Sequence, residues 1–334
     1  MPEEWLKDLV QHLATLFGVY GSQVRPVLAV LLVSCMCGLI GSLVVGNRMA
    51  FFSDAMAHTA FAGVAFALLG IVVATGIRSA AEADPYMWLL PIVMGIIGSL
   101  AGITIIYIQE KTHLTTDTVI GVFFATSLGI AAFLLPLLRA RVRIDTEQII
   151  FGQVAGVNER DLLMLLGLAC ITFAIVILKY NSIVLGSFNP SLAQSRGISV
   201  RFNTYLFIVL LALVVNLCIQ TVGILLINAL LVVPAAAAAN VSANLRKMFW
   251  VTLSGTIACG WLGYHFSTRI IIHDPVGGEL RPGPGGLIVL TCVGWFVVSL
   301  AVKAFRKRFF GFAPHCDHHA CSHEHPDAQY PHAH

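Results

Sequence analysis

The stretch MAFFSDAMAHTAFAGVAFALLGIVVATGI, Met49 to Ile77, decides the fold. Its only ionisable side chains are Asp54 and His58. Fully helical, it would be about 44 Å long at 1.5 Å per residue, longer than the roughly 30 Å hydrocarbon core of a bilayer. It therefore reads as a membrane-spanning helix, with Asp54 either at its edge or inside. Apolar stretches of similar kind lie at about 24 to 46, 86 to 108, 118 to 138, 161 to 178, 202 to 219, 222 to 239, 248 to 267 and 285 to 305. Gln220 and Thr221 alone separate the stretch ending at 219 from the one starting at 222. These two are either a tight pair of spans or a long helix followed by a broken one. The expectation is an all-α polytopic membrane protein, a bundle of eight or nine transmembrane helices.

Composition agrees. Of 334 residues, 57% are hydrophobic and 11% charged, against roughly 25% charged in globular proteins. Too little polar surface remains to cover a water-soluble body of this size. Disorder and nucleic-acid binding are both disfavoured. Six cysteines, Cys35, Cys37, Cys170, Cys218, Cys259 and Cys292, lie in apolar runs, where a thiol acts as a small packing residue.

Three regions follow. Residues 1–23 place Trp5, Leu6, Leu9, Val10, Leu13, Leu16 and Phe17 at helical spacing beside Glu3, Glu4, Lys7 and Asp8, an amphipathic surface helix rather than a secretory leader. Residues 24–305 are the transmembrane domain. Residues 306–334 form a tail. Lys303, Arg306, Lys307 and Arg308 follow the last span and place the tail in the cytoplasm by the positive-inside rule. Counting back puts Arg48, Lys111, Lys179, Arg196, Arg201, Arg246 and Lys247 on the same side. The tail holds His315, Cys316, His318, His319, Cys321, His323 and His325, a ligand set that suits zinc and neighbouring borderline metals.

Asp54 and His58 are four residues apart, which puts them on one helix face. A carboxylate beside an imidazole is a partial site for a divalent metal, and an ionisable residue within a span points to a transport pathway. A helix N-cap at the membrane surface, with His58 as hydrogen-bond partner, explains the same residues. The residues alone leave both readings open. The loop from Lys179 to Arg201 contains a candidate short helix, with Asn189 as cap, Pro190 in the first turn, Arg196 basic and Gly197 at the exit. Two turns cannot span a membrane, so this is a surface element. Gly38 and Gly41, with Gly95, Gly98 and Gly102, allow close helix approach, and Pro234 marks a possible break in the seventh stretch. The chain contains no GxxxxGK[ST] phosphate loop, no HExxH pair and no GxSxG nucleophile. It has no machinery of its own for hydrolysing ATP.

Five blocks in one order carry a family resemblance: RMAFFSDAMAHTAFAGVAFALLG (48–70), TTDTVIGVFFATSLGIA (115–131), EQIIFGQVAG (147–156), FNPSLAQSRGIS (188–199) and TVGILLINALLVVPAAAAANVS (221–242). GPGGLIVL (283–290) adds a sixth, preceded by an outer loop, RIIIHDPVGGELRP, that is longer than expected. The chain resembles the permease of the ABC-3 family, bacterial importers of zinc, manganese and sometimes iron.

The resemblance implies a type II importer-like subunit in the bacterial plasma (inner) membrane. In such importers two permeases form the path, ABC ATPase subunits use the ATP, and an extracytoplasmic solute-binding protein delivers the metal. The family's D-x-x-x-H pair maps onto Asp54 and His58, and its cytoplasmic coupling region onto Asn189, Pro190, Arg196 and Gly197. The implied role is transport by alternating access; the Asp/His pair does not separate zinc from manganese, and the tail's histidines and cysteines lean the expectation to zinc, with manganese next and iron after it. The alternative is a secondary metal transporter driven by protons or sodium.

Overall fold

The computed structural model describes residues 21–76, 86, 88–112, 114–138, 150–152, 154–188, 190–273, 279–280 and 282–310. Among them are nine helices of at least 18 residues. They are α1 (Gly21–Gly46), α2 (Ala50–Thr75), α3 (Leu89–Thr112), α4 (Thr116–Leu138), α5 (Glu159–Phe188), α7 (Val200–Val222), α8 (Ile224–Val241), α9 (Leu245–Arg269) and α10 (Pro284–Phe310). A short helix, α6 (Pro190–Ser195), lies between α5 and α7. A two-residue antiparallel ladder, β1 (Ile272–His273) with β2 (Glu279–Leu280), joins α9 to α10. All-helical spans are what an apolar solvent demands, since a helix satisfies its backbone N–H and C=O groups internally.

Eight of the nine are long and apolar enough to cross a membrane; α9 is too polar to qualify on hydropathy. Its packing shows that it traverses the bundle nonetheless. α9 runs antiparallel to α10 along most of its length. The Ser267 hydroxyl donates to the Pro282 carbonyl (2.9 Å), the Thr291 hydroxyl donates to the Cys259 carbonyl (3.0 Å), and Gly255 faces the Trp295 ring. Glycines on α9 admit these neighbours, and its polar hydroxyls at Thr252 and Thr256 are satisfied by carbonyls one turn back (2.8 and 2.7 Å).

Contacts between helix ends show which connections share one end of the bundle. Arg201 donates to both carboxylate oxygens of Glu110 (Nε to Oε2 3.1 Å), tying α7 to the end of α3. Lys303 Nζ donates to Asn240 Oδ1 and Arg306 to the Val241 carbonyl, each at 3.4 Å, tying α10 to the end of α8. A cavity of about 420 Å³ between Arg48, Ile183, Asn203, Thr204 and Phe207 brings the α1–α2 turn to the same end as α6. Arg48, Arg201, Lys303 and Arg306 thus sit at helix ends, as the sequence reading expects of residues on one side, with Arg48 and Arg201 at the end that carries α6.

Glycines set the closest approaches. A Cβ at Gly41 would collide with the Leu231 carbonyl of α8, and one at Gly98 with the Asn216 amide of α7. Lipid supplies no hydrophobic drive between helices, so such backbone-close contacts carry much of the association.

Three sequence expectations change. The segment from Lys179 is not a loop up to Asn189, because α5 continues to Phe188. Ile183 is buried and the Tyr180 ring meets Phe249 edge-on with centroids 5.0 Å apart, contacts that hold the extra turns. Pro234 does not interrupt α8, which is continuous from Ile224 to Val241. The break lies at Gly223 (φ +83°), the single residue between α7 and α8. Cys170 is exposed on α5, unlike Cys37, Cys218, Cys259 and Cys292, which are buried. The amphipathic segment 1–20 lies outside the described residues.

Candidate metal-handling site

α2 begins after Met49, whose side chain makes no cap, so Asp54 is the fifth residue of a helix already under way. That removes the N-cap reading. The i, i+4 spacing brings His58 Nε2 to 3.7 Å from Asp54 Oδ1. This is beyond a hydrogen bond, and it leaves a gap between two donors. A first-row dication sitting about 2.0–2.2 Å from each atom would bridge that gap at an obtuse angle.

Two other helices complete the surroundings. From α4, the Phe124 ring meets His58 edge-on with centroids 4.4 Å apart, and Phe61, one turn further along α2, lies nearly parallel to the imidazole at 6.0 Å. These rings fix the imidazole plane. From α8, Asn228 Nδ2 donates to Asp54 Oδ1 at 2.6 Å. Asn228 is the fifth residue of α8, just past the Gly223 break. His58 Nδ1 and Asn228 Oδ1 are buried and have no hydrogen-bond partner among the described residues. Burying such atoms unpaired costs about 1–3 kcal/mol each, an expense that structures tolerate where a function uses the groups. Asp54 is about half exposed and His58 about a quarter, so the pair is reachable. Among the described residues no group of three or more His, Cys, Asp and Glu surrounds it.

The break that positions Asn228 is itself locked by backbone. Gly152 (φ +74°) and Gly223 pack so closely that a Cβ on either would strike the other strand of chain. Both take positive φ, which glycine adopts freely. The block EQIIFGQVAG thus contributes a wedge, residues 150–152, that seats the α7–α8 junction.

The family model for the ABC 3 transport family matches residues 20–303. The chain belongs to this family. As an ABC-3 metal-ion permease it is 30% identical over 251 residues to the manganese transport system membrane protein MntC of Halalkalibacterium halodurans, covering 75% of this chain and 79% of that one. It is 29% identical over 277 residues to the manganese import system permease protein ScaB of Streptococcus parasanguinis, covering 83% and 89%. Among solved structures, PsaBC from Streptococcus pneumoniae in complex with Fab matches with TM-score 0.68 and 24% identity, over 86% of this permease and 95% of that chain. That likeness shows the fold.

The other sequence-derived residues of the permease fare differently. Pro190 opens α6, as its fixed φ suits. Gly197 (φ +73°) ends it: Ile198 N–H reaches the Ala193 carbonyl and Gly197 N–H the Gln194 carbonyl, both 2.9 Å, the paired bonds of a Schellman cap. Arg196 is exposed beside it, while Ala193 is buried. Asn189 lies outside the described residues, as do His315, Cys316, His318, His319, Cys321, His323 and His325. Asn228 was missed by sequence reasoning. Its signal was available: it is a lone amide in the apolar run ILLINALLVV.

Proposed function

We propose that this ABC metal-importer permease carries a first-row dication past Asp54 and His58, with manganese ahead of zinc. The observation that carries the reading is the Asp54–His58 pair itself, held open at 3.7 Å and faced by an amide from another helix. Two protein donors suffice to hold a cation that has shed part of its water. A complete four-ligand cage would retain it as a structural site. The leaning to zinc comes from the histidine- and cysteine-rich tail and not from Asp54 and His58. Manganese is supported by the names of the relatives and by the carboxylate, a hard donor.

The transport cycle follows from the two ends of α7. An extracytoplasmic solute-binding protein delivers the ion on the side away from α6. ABC ATPase subunits dock against α6, on the cytoplasmic face where the basic residues gather, and a second permease completes the path. ATP-driven movement of α6 passes directly into α7, which starts four residues after α6 ends. α7 ends at the Gly223 break, and α8 carries Asn228 onto Asp54. A rigid helix therefore links the ATPase contact to the ion site.

The test is manganese and zinc uptake into liposomes holding the complete complex, with and without ATP, for the native permease, Asp54→Ala and His58→Ala. The expected result is ATP-dependent uptake by the native protein, with both variants assembled but inactive. Uptake without ATP would make the chain a secondary carrier, and full transport by both variants would remove the site.

A further inference from the structure

We propose that Asn228 is the third donor of this site, an amide oxygen that turns toward the cation and biases the site toward harder ions such as manganese(II). The inference rests on the reading of Asp54 and His58 as the ion-contacting pair.

Asn228 Nδ2 donates to Asp54 Oδ1 at 2.6 Å. That oxygen is the same one that faces His58 Nε2. A cation held between the carboxylate and the imidazole would therefore meet the N–H end of the amide, whose positive dipole opposes it. The other end of the amide, Oδ1, is buried and has no partner among the described residues. A primary amide presents two ends of nearly equal shape, one donating and one accepting. A half-turn about the Cβ–Cγ bond exchanges them within the same volume. With no cation between them, an amide oxygen facing a carboxylate oxygen is repelled and the N–H is preferred. With a dication between them the preference reverses. The amide thus satisfies the carboxylate when the ion is absent and adds a ligand when it is present.

The chemical consequence is a change in donor set. Asp54 and His58 alone provide one oxygen and one nitrogen, a set that does not separate zinc from manganese. Adding a carbonyl oxygen makes two oxygens and one nitrogen, and carboxylate and carbonyl donors suit manganese. The added donor is also neutral. A second carboxylate would deepen the binding well, because affinity for hard cations rises with ligand charge, and a deep well slows release.

The experiment measures manganese and zinc uptake in parallel, in liposomes holding the complete complex, for the native permease, Asn228→Val, Asn228→Asp, Asp54→Ala and His58→Ala. Asn228→Val is expected to lower the manganese-to-zinc ratio about tenfold, at the low end of what a group supporting a metal site contributes. Asn228→Asp keeps the oxygen and adds charge, so its KM for manganese falls and its kcat falls with it. Equal loss of both metals in Asn228→Val would overturn the proposal, since Asn228 would then only hold Asp54 in place. An unchanged ratio would overturn it too. If Asn228→Val fails to assemble, Asn228→Asp decides alone, and an unchanged KM counts against the proposal. Transport by Asp54→Ala and His58→Ala at native levels removes the pair and Asn228 together. Their inactivity beside an unchanged ratio in Asn228→Val removes Asn228 and leaves the pair standing.

Discussion

α2 and α10 are both apolar helices of 26 and 27 residues, yet their surroundings are opposite. In the apolar core of α2, 72% of residues are buried, whereas in α10 the share is 17%. α2 is enclosed by α3, α4, α7 and α8, and it carries the two ionisable groups of the site. α10 shows Leu290, Val297, Val298 and Phe305 to the outside. In water that face would be a liability, but against lipid or a second apolar subunit it costs nothing. Apolarity therefore says only that a helix lives in the membrane, and enclosure tells which helices do the work. α4 stands between these extremes, with Val122, Phe133 and Leu137 exposed and Phe124 turned inward onto His58. It is a wall one helix thick between the Asp54–His58 pair and the outside of the subunit.

The contrast can be broken in several ways. Asp54→Ala and His58→Ala should each lower metal uptake by about a hundredfold or more, since even supporting residues of metal sites account for 10–100-fold. Val297→Thr on the outward face of α10 should leave uptake near native. An equal loss in the α10 variant would erase the distinction between enclosed and outward helices.

A second test concerns packing. Gly41→Leu drives a side chain into the Leu231 backbone, which should cost about 3 kcal/mol or more and deplete folded complex in detergent. Gly129→Ala and Gly294→Ala meet nothing within 4 Å and should stay within about 0.5 kcal/mol of native. Thermal denaturation of the purified complex reads the difference.

The end of the bundle near α6 offers a smaller effect. Glu110 and Arg201 are exposed at helix ends, and exposed ion pairs contribute little and are screened by salt. Glu110→Arg or Arg201→Glu should lower thermal stability slightly, more at low salt than at high. The double exchange should restore it. The smallest change is expected from deleting residues 313–334, with uptake unaffected and only its response to metal concentration altered. Loss of assembly on deletion would make the tail structural.

Much of this architecture was readable beforehand, for a physical reason. Each span must satisfy its backbone alone, so long apolar runs map onto helices, and every one of the nine expected stretches overlaps a helix in the described residues. The departures arise where local signals conflict with tertiary contacts. Residues 179–188 looked like a loop because Lys179, Asn181 and Ser182 are polar, but burial of Ile183 keeps them helical. Pro234 looked like the break, yet α8 continues through it, and the real break needs only Gly223 and its partner Gly152. Asp54 and His58 were legible because charge in a span is conspicuous. Asn228 carries a weaker signal, a lone amide in an apolar run, and its partner, a carboxylate 174 positions away, is seen only in the fold.

Transport past Asp54 and His58 requires that the imidazole of His58 touch the cargo. Pulsed electron paramagnetic resonance of manganese(II) bound to the permease–ATPase complex, with the permease ending at residue 312 to remove the tail histidines, reads this directly through coupling to a ring nitrogen. A nitrogen signal is expected in the native complex and should disappear in His58→Ala. Bound manganese with the same nitrogen coupling in His58→Ala, or with none in the native complex, would contradict that contact.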